Sequence, residues 1–286
     1  VLTHNEDVRA PGNVTLNAQG ATSNILTGGN NSVTGAQVES TGAGGIVSLT
    51  AGQDVILGTT IGGDYGDVYS AGSITVNAGR DFVLQQFTYL DVNSAGTSTI
   101  VAGRDIVLFN DNASSRITTR GGAISLTANR NVSISSDGTN NSVDSTQAGT
   151  TPAGANVSIT ATTGNISIRD GINAGTAGNV LLSAVAGNII DTNLNTTTRV
   201  NGVGLTANSA TGVTLETNVA TVTSVTATGA GNIDLREVDA LNLVTLTAAS
   251  GTLTLNAGGA VTNAAAAVVS ASGAASLTAS VRSAPM

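Results

Sequence analysis

Short runs in which aliphatic and polar residues alternate recur from one end of the chain to the other. In residues 71–84, AGSITVNAGRDFVL, the aliphatic Ile74, Val76 and Ala78 alternate with Thr75 and Asn77. A period of two places the first three on one face of a strand and the other two on the opposite face. A Gly79-Arg80-Asp81 turn follows, then a shorter run, Phe82-x-Leu84. The same fourteen-residue arrangement returns as GGIVSLTAGQDVIL at 44–57, AGTSTIVAGRDIVL at 95–108 and GGAISLTANRNVSI at 121–134. These copies start 27, 24 and 26 residues apart. A strand–turn–strand unit at such intervals predicts an array of stacked coils.

The alanine that closes the first run marks copies along the whole chain: Ala18, Ala51, Ala78, Ala102, Ala128, Ala161, Ala184, Ala207, Ala227, Ala248 and Ala279. The expected inward positions before it include Val47 and Leu49, Val157 and Ile159, Val203 and Leu205, and Val244 and Leu246. Second runs follow, such as Val55-x-Leu57, Ile166-x-Ile168 and Ile233-x-Leu235. Stacked in register, each position becomes a continuous aliphatic column, and about eleven coils make a rod roughly 50 Å long at normal strand spacing. No coil buries its apolar side alone, so each depends on its neighbours. The expectation is an all-β chain, a single parallel β-helix (β-solenoid) domain over 1–286. Its longest insertions are 19–43 and 135–153, with others at 58–70, 85–94 and 256–272. Their Gly, Asn, Asp, Ser and Thr content suits loops and one short third strand per coil. Residues 138–152 lack periodicity and read as the most mobile loop, while 264–270, AAAAVVS, fits a short helix or a strand equally.

Composition narrows the alternatives. The chain has no Cys or Trp and only six aromatic residues among 286, too few for the wide core of a β-sandwich. Asn-Gly, the strongest hairpin signal, occurs once, at Asn201–Gly202. At 40% hydrophobic the chain is too apolar for a disordered linker. A net charge of −8 argues against nucleic acid as a partner, and no apolar run approaches the roughly 20 residues of a membrane-spanning helix. The absence of Cys removes disulfides and thiolate metal sites. No signal peptide is visible at Val1, so the expectation is a cleaved leader or a stretch of a longer protein.

The turn between the two runs carries Asp54, Asp81 and Asp105, then Asn131, Asn165, Asn188 and Asn232. Asp and Asn bond nearby backbone in tight turns, and stacked Asn residues can bond from coil to coil. With Arg80 and Arg104 alongside, this column reads as an exposed charge ladder, a solvated edge whose pairs contribute about 0–1 kcal/mol each.

The AGQDVIL, AGRDFVL and AGRDIVL segments, each after a VSLT-, ITVN- or TIV-type strand, resemble the filamentous haemagglutinin-like repeat of large bacterial exoproteins. The clear match spans about 44–134, and ATTGNISI and AVAGNII look like looser variants. The resemblance implies a right-handed parallel β-helix, export by the two-partner route, and location on the cell surface or in the medium. The family includes adhesins, haemagglutinins and contact-dependent toxins. Its secretion domain carries an Asn-Pro-Asn-type motif that does not occur here, so the resemblance implies a stretch of shaft or a divergent relative.

Candidate chemistry is sparse. Catalysis of polysaccharide cleavage would need paired carboxylates in a groove, for which Asp81, Asp105, Asp111 and Arg104 are the candidates. Their recurrence with the coil reads as turn structure instead. His4 is the only histidine, so no triad or histidine metal cluster can form, and the chain is expected not to be an enzyme and to need no cofactor. Residues 62–67, GGDYGD, resemble a calcium turn but occur once, where a calcium nonapeptide would recur. Outward Ser and Thr columns resemble an ice-binding face, interrupted by Val101 and Leu181.

All six aromatics lie between 65 and 109. Phe82 falls in an inward column. Tyr65, Tyr69, Phe87 and Tyr89 fall in two consecutive insertions and are the candidate binding residues, with Asp64, Asp67 and Asp91 nearby. Such a patch can stack on sugars or anchor a partner; the plainer reading is a small satellite core. The expected role is a shaft segment of a secreted adhesin that meets host or surface glycans or proteins. The alternative is an extracellular fibre or matrix subunit that self-associates along the rod axis through uncapped ends.

Overall fold

The computed structural model describes residues 2–4, 7–28, 37–58, 66–109, 115–135, 141–147, 153–193 and 200–280. These residues form 29 strands and no helix. Every strand pairing among them is parallel, which excludes the sandwich and its hairpins. The chain winds as a parallel β-helix with three faces.

The first face stacks Val14–Ala18, Val47–Ala51, Ile74–Ala78, Ser98–Ala102, Ile124–Ala128, Val157–Ala161 and Asn179–Ala184. It continues through the later parts of Val200–Ser209, Val213–Ala227, Leu241–Ala248 and Val261–Ala271, making eleven coils. Register follows the repeat: Val76 lies between Leu49 and Ile100, and Ile100 lies against Leu126. The second face stacks the shorter runs, from Leu2–His4 and Ile25–Thr27 through Phe82–Leu84 to Ala275–Ala279. The third face is built from the insertions, including Val38–Ser40, Val68–Ser70, Tyr89–Val92, Arg116–Thr119, Asn141–Asp144 and Gly171–Asn173. Inward residues of all three faces meet in one narrow core in which Phe82 is the largest side chain and Leu, Ile and Val, with the column alanines, supply the rest. Each such side chain contributes about 1.5–3 kcal/mol by burial.

Glycine in the A-G-(R/Q)-D turn has a packing cause. A Cβ on Gly79 would sit 2.1 Å from the carbonyl oxygen of Gly52, and one on Gly103 would sit 2.1 Å from that of Gly79. Successive turns approach so closely there that no side chain fits.

Several sequence expectations need correction. Ala184 stacks on Ser209, so Ala207 lies two residues early in the column, against Leu182. Val203 is therefore exposed rather than inward. Ala279 lies in the second-face column, on Ala257, and the first-face column ends at Ala271. Val244 sits beside a register shift between Leu243 and Thr245, so Leu243 takes the inward place instead, while Leu246 is inward as expected. The shared cause is shortening of the coil. Stacked second-face residues are 34 apart from Val132 to Ile166 but 20 apart from Val213 to Ile233. With no loop left to spend, strands run through the corners, and Val213–Ala227 is 15 residues long.

The insertion 135–153 contains a third-face strand, Asn141–Asp144, with Ser142, Val143 and Asp144 buried, so the loop reading fails there. Residues 136–140 and 148–152 lie outside the described residues. Residues 264–270 are strand, within Val261–Ala271, because the preceding coil offers them a parallel edge.

Candidate functional site

Two features stand out from the repeating scaffold: a seam of turn side chains and a cleft on the third face. The seam runs where each coil enters the second face. Here the backbone N–H of the turn residue donates to the side-chain oxygen of its equivalent one coil earlier. Asp81 donates to Asp54 (3.2 Å), Asp105 to Asp81 (3.2 Å) and Asn131 to Asp105 (3.1 Å). Asn165 then donates to Asn131 (3.0 Å) and Asn188 to Asn165 (2.9 Å). The column begins one coil earlier than the sequence indicated, because Asp54 donates to Asn24 Oδ1 at 3.0 Å. The signal was there: Asn24 directly precedes the apolar run Ile25-x-Thr27. The seam breaks at Gly212, whose N–H turns to Ser209 Oγ and leaves Asn188 Oδ1 buried without a partner. It resumes where Thr252 N–H donates to Asn232 Oδ1 at 2.9 Å.

The expected solvated edge does not hold for the carboxylates. Asp54, Asp81 and Asp105 are 4%, 9% and 9% exposed because the next coil covers them. Arg80, Arg104 and Arg130 each reach back one coil and grip Asp54, Asp81 and Asp105 through Nε and a terminal nitrogen, with Nε distances of 2.8, 2.8 and 2.9 Å. Only the arginines are half exposed. The bidentate bond from Arg130 foremost, helped by Asn131, holds the Asp105 carboxyl below its ordinary range despite burial. The three carboxylates of the seam are thus occupied by their neighbours, as a structural fastening.

The cleft, of about 220 Å³, lies among outward side chains of successive third-face strands and is lined by Tyr69, Tyr89, Asp91, Arg116, Thr118 and Gln147. Parallel register brings Tyr69 beside Asp91, Asp91 beside Thr118, and Tyr89 beside Arg116. Beneath them, buried Asp67 accepts the Tyr69 hydroxyl (2.9 Å) and the Tyr89 backbone N–H (2.8 Å), which fixes the Tyr69 side chain and the Tyr89 backbone. Burial raises the Asp67 carboxyl above its usual value; burial, then Asp67 itself, raises the Tyr69 hydroxyl well above its own. Asp91 accepts from Thr118 Oγ1 at 2.7 Å and from Gln147 Nε2 at 2.9 Å. Gln147, with φ at 46°, also bonds Asn93 and Arg120. The Arg116 guanidinium lies 4.9 Å from the centre of the Tyr89 ring, and its Nε is shielded from solvent with no hydrogen-bond partner among the described residues.

Of the four aromatic candidates, then, the fold brings Tyr69 and Tyr89 together. Phe87, half-buried at φ 55°, does not line the cleft, and Tyr65 lies outside the described residues, as do Asp64 and Asp111. Arg116, Thr118 and Gln147 escaped the sequence reading, since only the third-face register places them there.

Compared with family models, with curated proteins and with solved structures, the chain matches none. The resemblance to the haemagglutinin-like repeat therefore rests on the quoted segments alone.

Among the described residues, no group of three or more His, Cys, Asp or Glu is placed to hold a metal ion, and no helix is long and apolar enough to cross a membrane. Asp81, Asp105 and Arg104, named as catalytic candidates, are all committed to the seam. A further carboxylate, Glu237, is buried at the corner between the second and third faces. It accepts from Thr217 Oγ1 (2.8 Å) and from the N–H groups of Val219 (3.1 Å) and Val238 (2.9 Å). Burial nonetheless pushes its pKa up to about 7.

Proposed function

We propose that this chain is a structural shaft segment of a secreted bacterial surface adhesin, a rod that holds contact surfaces away from the exporting cell and performs no catalysis. The observation that carries this reading is the continuous parallel pairing of the first face across eleven coils, with register shifts at Leu205/Thr206 and Leu243/Thr245. At normal strand spacing that is a rod about 50 Å long. Its core makes each coil the template for the next, and the buried Asp–Arg seam ties the coils together along one edge. Such a rod resists bending and offers side chains at fixed intervals, which is what display requires. The AGRDFVL-type segments support export, because the family they resemble is exported.

The test is adhesion. Beads coated with the purified chain are expected to settle on host epithelial cells or on a glycan-coated surface more than beads coated with an unrelated β-rich protein of similar charge. Equal retention of the two would remove the adhesin reading.

A further inference from the structure

The third-face cleft contains a cation whose partners are missing. Arg116 spends the face of its guanidinium on the Tyr89 ring, and no acceptor among the described residues meets the edge of the same group, where its N–H donors lie. Its Nε has no hydrogen-bond partner, and among the described residues Arg116 enters no ion pair. Buried donors are ordinarily satisfied, so an arginine left this way at a cleft marks the place of an acceptor that comes from outside. The other arginines with acidic neighbours among the described residues, Arg9, Arg80, Arg104, Arg130 and Arg236, are engaged in ion pairs.

The acceptor that matches one guanidinium edge is a carboxylate, held by two parallel N–H···O bonds. A dianionic phosphate fits poorly, because Asp91 lines the same cleft and Asp67 lies behind it. The remaining lining describes the body of the ligand. Tyr69 and Tyr89 are half-buried rings that offer an apolar surface, the first held through its hydroxyl by Asp67 and the second capped by Arg116. Asp91, Thr118 and Gln147 form a hydrogen-bonded row suited to vicinal hydroxyls: Thr118 gives its proton to Asp91 and keeps oxygen lone pairs free. At about 220 Å³ the cleft is smaller than the roughly 300–1,000 Å³ of drug-sized pockets, so it takes one ring rather than a chain.

We infer that the Tyr69–Tyr89–Arg116 cleft binds a single carboxylate-bearing sugar unit, a hexuronic acid, with the carboxylate on Arg116, a ring face on the tyrosines and hydroxyls on Asp91, Thr118 and Gln147. The display reading supplies only its setting, and binding in solution tests the site whether or not coated beads adhere.

The experiment is titration of the full chain with methyl β-D-glucuronide and with methyl β-D-glucoside, followed by saturation-transfer NMR and calorimetry. The two probes differ only in the carboxylate. The glucuronide is expected to bind, and the glucoside to bind about tenfold or more weakly. Arg116→Lys keeps the charge and loses the planar edge, and should weaken glucuronide about tenfold while leaving the glucoside unchanged. Tyr89→Leu should weaken both. Equal affinity for the two glycosides, no binding of either, or an Arg116→Lys variant that binds glucuronide normally would each overturn the assignment. Acetate that binds as tightly as glucuronide would overturn its saccharide part. The comparison of the two glycosides uses the unaltered chain, so it decides the matter even if a variant fails to fold.

Discussion

The coils up to residue 193 and those from 200 onward share one core and differ in almost everything outside it. In the earlier region three separate strands are joined by insertions, the seam carries Asp and Arg, and the third face holds the aromatic cleft. In the later region strands run through the corners and the seam shrinks to a single bond from Thr252 to Asn232, with Asn188 left unpaired above Gly212. About twenty residues close a coil, as the spacing from Val213 to Ile233 and from Ile233 to Leu253 shows. Whatever a coil has beyond that minimum becomes available for contact. Candidate chemistry therefore gathers where coils are long, and the later coils are the bare scaffold.

If that is right, the core should be equivalent in both regions. Leu126→Ala and Leu235→Ala each empty a fully buried column position, and each is expected to cost about 3–5 kcal/mol in denaturant unfolding. A markedly smaller loss at Leu235 would show that the later coils are held by something other than the shared core.

The seam should divide the regions. Asp81→Ala removes the acceptor of Arg104 and of the Asp105 N–H, and a loss of about 3 kcal/mol is expected. Asn232→Ala removes one neutral bond and should cost about 1 kcal/mol. Equal losses would mean that the Asp–Arg grip adds nothing to a plain turn.

Their pH responses should run in opposite directions. Glu237 keeps its proton in the fold up to about pH 7 but releases it near 4.5 when unfolded. Between those values the folded chain binds the extra proton, so this residue favours folding most below 4.5, and its contribution falls as pH rises to 7. The expected loss is about 2 kcal/mol, discounted from the full shift for solvent screening. Thermal melts of Glu237→Gln should lack this decline. Asp105 has the reverse sign: its carboxyl is held below the ordinary 3.8, so its contribution is present above that value and fades as pH falls through the folded pKa. Asp105→Asn should flatten the acid limb alone, by a smaller amount.

The scaffold was legible in the sequence because it is written in local, repeated terms. Alternation with period two assigns inward and outward residues, a turn signal ends each run, and recurrence at a near-constant interval stacks like on like, as Val76, Ile100 and Leu126 do. The seam from Asp54 to Asn188 was visible for the same reason, although its burial was not, since coverage comes from the coil above. Tertiary structure alone decided the rest. The slip from Ala207 to Ser209, and the end of the first-face column at Ala271, follow from coils that shorten without a local marker. The cleft joins Asp91 to Gln147, 56 residues apart, across insertions of unequal length. Counting along such a chain cannot place Arg116 over Tyr89, because the register of the third face is set by the pairing of strands whose connecting loops follow no period.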